Sequence, residues 1–146
     1  MSELIPMRVV LDTNVLVAAA RSRQGPSFAI VSSIPAPEFQ PCLSVNLYCE
    51  WQEVLTRSEN LPPGTTADDA NKFLRYLASQ SHLQKVHFRW RPTLRDPSDD
   101  MVLELALSAG CKHIITYNAK DFFGTEHFGM TAIAPRDFLN LIRKKP

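Results

Sequence analysis

The side chains in this sequence that could do chemistry together are carboxylates. Asp12 ends the run Met7-Arg-Val-Val-Leu11, Glu50 lies within Val45 to Arg57, Asp99 and Asp100 close Asp96-Pro-Ser-Asp-Asp100, and Asp121 follows Thr116-Tyr-Asn118-Ala-Lys120. Each has an ordinary reading as well. Asp12 suits a helix N-cap, Glu50 the rim of a helix surface, Asp96 to Asp100 the positive end of a helix dipole, and Asn118 or Asp121 a turn. Residue by residue, those alternatives stay open. Gathered in one crevice, several carboxylates repel one another and lose hydration unless a cation sits among them. An all-oxygen set suits Mg²⁺ or Mn²⁺, which polarises a phosphodiester, lowers the pKa of an attacking water and neutralises the leaving oxygen. The four histidines and three cysteines form no His-x-x-x-His or Cys-x-x-Cys pairing, so a zinc site is not expected.

The elements around these acids determine whether they can meet. Met7 to Leu11 is β-branched and runs through Asp12 into Val15 to Ala20, a strand passing directly into a helix. Ser27 to Ile34 reads as a helix, Phe39 to Leu43 as a strand, and Ser44 as the cap of a helix from Val45 to Arg57. Leu47, Trp51, Val54 and Leu55 form its apolar stripe, with Glu50 within or beside it. Thr66-Ala-Asp-Asp69 has the form of a capping box for a helix to about Ser79 with Phe73, Leu74 and Leu77 inward, and Leu83 to Phe88 is a strand candidate. Ser98 caps a helix that Gly110 ends. Lys112 to Thr116 and Met130 to Ala134 are further strands, and Pro135 opens the last helix. Strands alternating with helices predict a parallel α/β sheet with right-handed crossovers, whose strand ends and adjoining helix starts open onto one crevice.

At this point the residues resemble a known family. Arg8-Val-Val-Leu-Asp-Thr-Asn-Val-Leu-Val17, Leu43-Ser-Val-Asn-Leu-Tyr-Cys-Glu-Trp-Gln-Glu-Val-Leu55, Arg95-Asp-Pro-Ser-Asp-Asp100 leading into Leu103-Glu-Leu-Ala106, and Ile114-Ile-Thr-Tyr-Asn-Ala-Lys-Asp-Phe122 resemble, in order, the blocks of a PIN domain. The likeness is to the branch similar to VapC-type ribonucleases, the toxins of bacterial toxin–antitoxin pairs. It implies a three-layer α/β/α fold on a central parallel sheet of about five strands, a divalent metal, and single-stranded RNA cleaved by an endoribonuclease. It implies an antitoxin partner and a homodimer as well. The family's first acid matches Asp12, its helix-borne glutamate Glu50, and its third acid Asp99, with Asp100 as the neighbouring alternative. Its usual fourth acid falls on Asn118, which removes one formal charge, and Asp121 is the candidate to stand in. Asn14 and Thr116 match polar positions that orient the site. A PIN-like module that binds nucleic acid or protein without cutting is the alternative function, and Asn118 is its motive.

The 146 residues fit one domain, 1–146, and 45% of them are apolar, which is ordinary for a globular core. A net charge of +1 excludes coating of nucleic acid by bulk electrostatics, so a polyanion must be held locally. The balance is uneven along the chain. Residues 1–73 carry five Lys/Arg and eight Asp/Glu, residues 74–146 eleven and seven, so the second half holds the cations that could face phosphates. Phe88-Arg89-Trp90-Arg91 interleaves rings and guanidinium groups in a way that suits unpaired bases, and Arg89, Arg91 and Arg95 are the candidate RNA contacts. The N-terminus has no basic region before an apolar core, and Asp12 and Asn14 interrupt the nearest apolar run. Neither a signal peptide nor a membrane span is expected. Cys42, Cys49 and Cys111 are expected as reduced, buried thiols of a cytoplasmic protein.

Overall fold

The computed structural model describes residues 5–86, 97–122 and 124–144. Strand β1 (Met7–Leu11) passes into α1 (Thr13–Arg21), and α2 (Pro26–Ser32) leads to β2 (Phe39–Leu43). Helices α3 (Val45–Leu55) and α4 (Ala67–Ser79) precede β3 (His82–Leu83). Then come α5 (Pro97–Ala109), β4 (His113–Ile115), β5 (Thr131–Ile133) and α6 (Pro135–Arg143). The five strands form one sheet in the order β3-β2-β1-β4-β5, and every pairing is parallel.

The connections from β1 to β2 and from β2 to β3 step towards one edge, whereas that from β3 to β4 steps back across the sheet. Right-handed crossovers then put α1 to α4 on one face and α5 on the other, giving three layers. The packing agrees. Helix α1 packs against both α2 and α3, α4 rides on α3, and α5 lies on β1, β2 and β4. The core runs through β1 (Val9, Val10 and Leu11 fully buried) to Leu16, Leu47, Trp51, Val102, Leu105 and Ile114.

Pro41 sits inside β2, opposite Val9. Met7 N–H donates to the Glu38 carbonyl, which sets the alternation so that Gln40 and Cys42 face β1 and Pro41 turns its nitrogen to the other side. There β3 begins only opposite Cys42, so the missing N–H breaks no ladder bond.

Three expectations need correction. The strand foreseen over Leu83 to Phe88 is, among the described residues, the pair His82–Leu83, and residues 87 and 88 lie outside the description. Phe73, expected inward, is 42% exposed: α4 packs chiefly on α3, and its fully covered residues are Leu74 and Leu77. Cys49 is exposed while Cys42 and Cys111 are buried. Leu47, Trp51 and Leu55, four residues apart, claim the inner face of α3 and leave Cys49 on its outer side.

Candidate active site

The sheet reverses its winding direction between β1 and β4, and the carboxyl ends of these two strands frame the crevice where parallel α/β sheets bind ligands. Leu11 pairs with Ile115, so Asp12 and Thr116 are the first residues beyond adjoining strand ends, and Asp12 N–H donates to the Ile115 carbonyl at 3.0 Å. A strand feeding straight into a helix thus fixes the backbone of Asp12 from both sides.

Both readings of Asp12 hold at once. Its Oδ1 accepts from Thr13 N–H at 2.8 Å, the N-cap of α1. Its Oδ2 faces the crevice and accepts from the Thr116 hydroxyl at 2.8 Å and, at a long 3.4 Å, from Asn14 Nδ2. Thr116 is wholly buried, and its oxygen also accepts from Asn118 N–H at 3.0 Å and from Asn14 Nδ2 at 3.4 Å. One donor and two acceptor positions are all a hydroxyl offers, so Thr116 is fully committed to holding this corner.

Glu50 reaches the same place from α3. The cap Ser44, whose oxygen accepts from Leu47 N–H, sets the start of that helix, and buried Leu47, Trp51 and Leu55 seat it against the core. Glu50 is left half-buried at the edge of the stripe, and its Oε2 accepts a hydrogen bond from the Thr13 hydroxyl. Thr13 therefore joins the two acids, its N–H on Asp12 and its hydroxyl on Glu50.

Asp99 and Asp100 are half-buried in the first turn of α5, where the helix dipole also favours them. Asn118 and Asp121 are exposed in the turn after β4, with Asp121 N–H donating to the Asn118 carbonyl. Through its backbone, Asn118 belongs to the Thr116 network. The predicted RNA contacts Arg89, Arg91 and Arg95 lie outside the described residues. Sequence reasoning missed Thr13, which a Thr directly after a strand-ending Asp could have signalled, and Tyr117, whose N–H donates to Asn14 Oδ1 at 3.3 Å and whose hydroxyl lies 2.6 Å from Ser27 Oγ.

Among the described residues no group of three or more His, Cys, Asp or Glu side chains is gathered for a metal ion. The donors at this corner are nonetheless all oxygen. Mg²⁺ is commonly held by one or two carboxylates with its remaining positions left to water and substrate phosphate, so a carboxylate pair linked through Thr13 fits such an ion.

A family model described as PIN domain matches residues 8–120. No curated protein matches the sequence. Among solved structures, the chain is similar to VapBC-1 from nontypeable Haemophilus influenzae, with TM-score 0.60 and 17% identity over 89% of this chain and 99% of the other. It is similar also to VapBC2 from Rickettsia felis, solved bound to a DNA fragment from its promoter, with TM-score 0.61 and 15% identity over 88% and 98% of the two chains. At that identity the likeness is one of fold.

Proposed function

The chain belongs to the PIN domain family, and from that premise we propose that it is a metal-dependent endoribonuclease that cleaves single-stranded RNA as the toxin of a toxin–antitoxin pair. The observation that carries the reading is the crevice between β1 and β4, where a buried Asp12 is locked by Thr116 and tied through Thr13 to Glu50. A mere N-cap needs one carboxylate oxygen. The committed Thr116 hydroxyl on the other oxygen is what a cap alone does not explain.

In this mechanism Asp12 and Glu50, with Asp99 or the neighbouring Asp100 directly or through water, would hold Mg²⁺ or Mn²⁺. When bound, such an ion would lower the pKa of the attacking water and neutralise charge on the phosphodiester. Thr116 and Asn14 fix the Asp12 carboxylate so that Oδ2 keeps its aim, an outer-shell role. Glu50, oriented by the Thr13 hydroxyl, takes the proton of the water that attacks phosphorus, and the departing ribose oxygen receives a proton from solvent. Asn118 and Asp121 complete the polar rim, and Arg89, Arg91 and Arg95 follow the RNA backbone.

The VapBC neighbours support an antitoxin as protein partner; a second copy of the chain is a further partner implied by the resemblance to VapC-type ribonucleases alone. Among the described residues no helix is long and apolar enough to cross a membrane. The test is incubation of labelled single-stranded RNA with Mg²⁺ or Mn²⁺. Internal cuts that a chelator abolishes are expected, and RNA left whole in both metals contradicts the reading.

Asn118 at the family's fourth acidic position favours a second reading, a module that binds without cutting. Calorimetry separates the two. Heat of Mn²⁺ binding at millimolar concentration supports the enzyme, and its absence supports the module.

A further inference from the structure

An open cleft of about 580 Å³ adjoins the acidic corner. Asn14, Val17 and Arg21 line it from one face of α1, at helical spacings of three and four, and Val54 and Tyr117 close its sides. One end is therefore the Thr13–Asn14 pair that holds the acids, and the other is a guanidinium group. Tyr117 is tethered twice, by its hydroxyl to buried Ser27 and by its N–H to Asn14, yet its side chain stays 48% exposed. A ring pinned at both ends with much of its surface in water offers a preorganised stacking platform. Arg21 is exposed, its Nη2 steadied by Asn60 Oδ1 at 3.2 Å, and it makes no ion pair among the described residues.

We propose that this cleft is a nucleotide subsite for single-stranded RNA, in which a base stacks on Tyr117 and a backbone phosphate pairs with Arg21. The inference rests on the ribonuclease reading for its substrate class, and it adds where the strand lies and which residues grip it. The seven helical steps from Asn14 to Arg21 rise about 10 Å along the helix, roughly three stacked nucleotides at about 3.4 Å each. Both contacts therefore fall on one side of the cut and within about three nucleotides of it. An apolar peptide would have no use for a cation at one end and a carboxylate pair at the other, whereas a strand with a phosphate to cut and bases to stack uses both.

The test measures binding of the full chain to a fluorescein-labelled single-stranded RNA by anisotropy, in chelator so that nothing is cut, with an abasic nucleotide placed at each position in turn. Loss of one stacked base should weaken wild-type binding about 5- to 150-fold at a single position. Tyr117→Ala should weaken intact RNA by the same factor and be indifferent to that abasic position, while Tyr117→Phe should keep most of the affinity. Arg21→Gln should flatten the slope of log affinity against log salt by about 0.7. The abasic series on wild type needs no variant, so it decides the matter even if Tyr117→Ala does not fold. Wild-type binding that ignores every abasic position overturns the subsite and leaves the nuclease reading standing. The expected pattern without cleavage once Mn²⁺ is restored overturns the nuclease reading and keeps the subsite, and a wild type that binds no RNA, or only an apolar peptide, overturns both.

Discussion

Asp12 could be read from the sequence as a helix cap or as a site acid, and both hold because a carboxylate has two oxygens. One caps α1 and the other is held by Thr116 in the crevice. Spacing reveals the acid, but the hydroxyl that aims it lies 104 residues away, and only the pairing of β1 with β4 brings the two together. Thr116→Val keeps the volume of this buried residue while removing the aiming hydrogen bond. It should lower Mn²⁺ affinity and cleavage by about 10- to 100-fold, read by calorimetry and initial rates, and an unchanged affinity would show that Asp12 needs no such support. Asn118→Asp tests the departure at the fourth position, where Asn118 is exposed and its backbone joins Thr116. The added charge should tighten Mn²⁺ binding by about 1.4 kcal/mol, or tenfold. Equal affinities would place the Asn118 side chain outside the site.

Helices and strands announced themselves where a local rule was strong, as in Ser44 before α3, the capping box of Thr66 and Asp69, and Pro135 at the start of α6. Burial was less legible because it depends on the neighbour. Phe73 follows the apolar period of α4, yet α4 packs chiefly on α3 through Leu74 and Leu77, and the ring stays 42% exposed. Thr66→Ala should cost about 1 kcal/mol of stability in urea denaturation, and a loss below the error of that measurement would mean that α4 frays without consequence. Trp51, fully buried in α3, carries the helix that presents Glu50. Trp51→Ala should cost about 3–5 kcal/mol and lower the midpoint of unfolding accordingly. Where α6 meets β4, burial holds the His113 imidazole below its usual pKa, with Lys112 adding to the effect, and the Phe138 ring lies edge-on 5.8 Å away. The unfolded chain therefore binds that proton more readily than the folded one. Stability should be level above the ordinary histidine pKa of about 6.5 and fall as pH drops below it. His113→Phe should flatten that acid slope in thermal melts, and a slope unchanged by the substitution would assign it to other groups.

Across the whole molecule, a net charge of +1 looked unsuited to nucleic acid, but the sum conceals an acid-rich first half and a cation-rich second half. The sheet order brings both halves to one crevice, with Asp12 just beyond β1 and Thr116 just beyond β4. The alternation of elements made that parallel sheet legible. The point where its winding reverses was not, because strand order is a global property that no local spacing records. The proposed function makes this reversal point a metal-dependent phosphodiesterase centre organised by Asp12. It is tested most directly by comparing Mn²⁺-dependent cleavage of single-stranded RNA by wild type and Asp12→Asn, with both chains first matched in thermal unfolding. Asp12→Asn keeps the shape and the N-cap while removing the charge, so the account predicts a fall in kcat/KM of at least about 100-fold, some 2.7 kcal/mol of transition-state stabilisation. Cleavage by Asp12→Asn at the wild-type rate would contradict it.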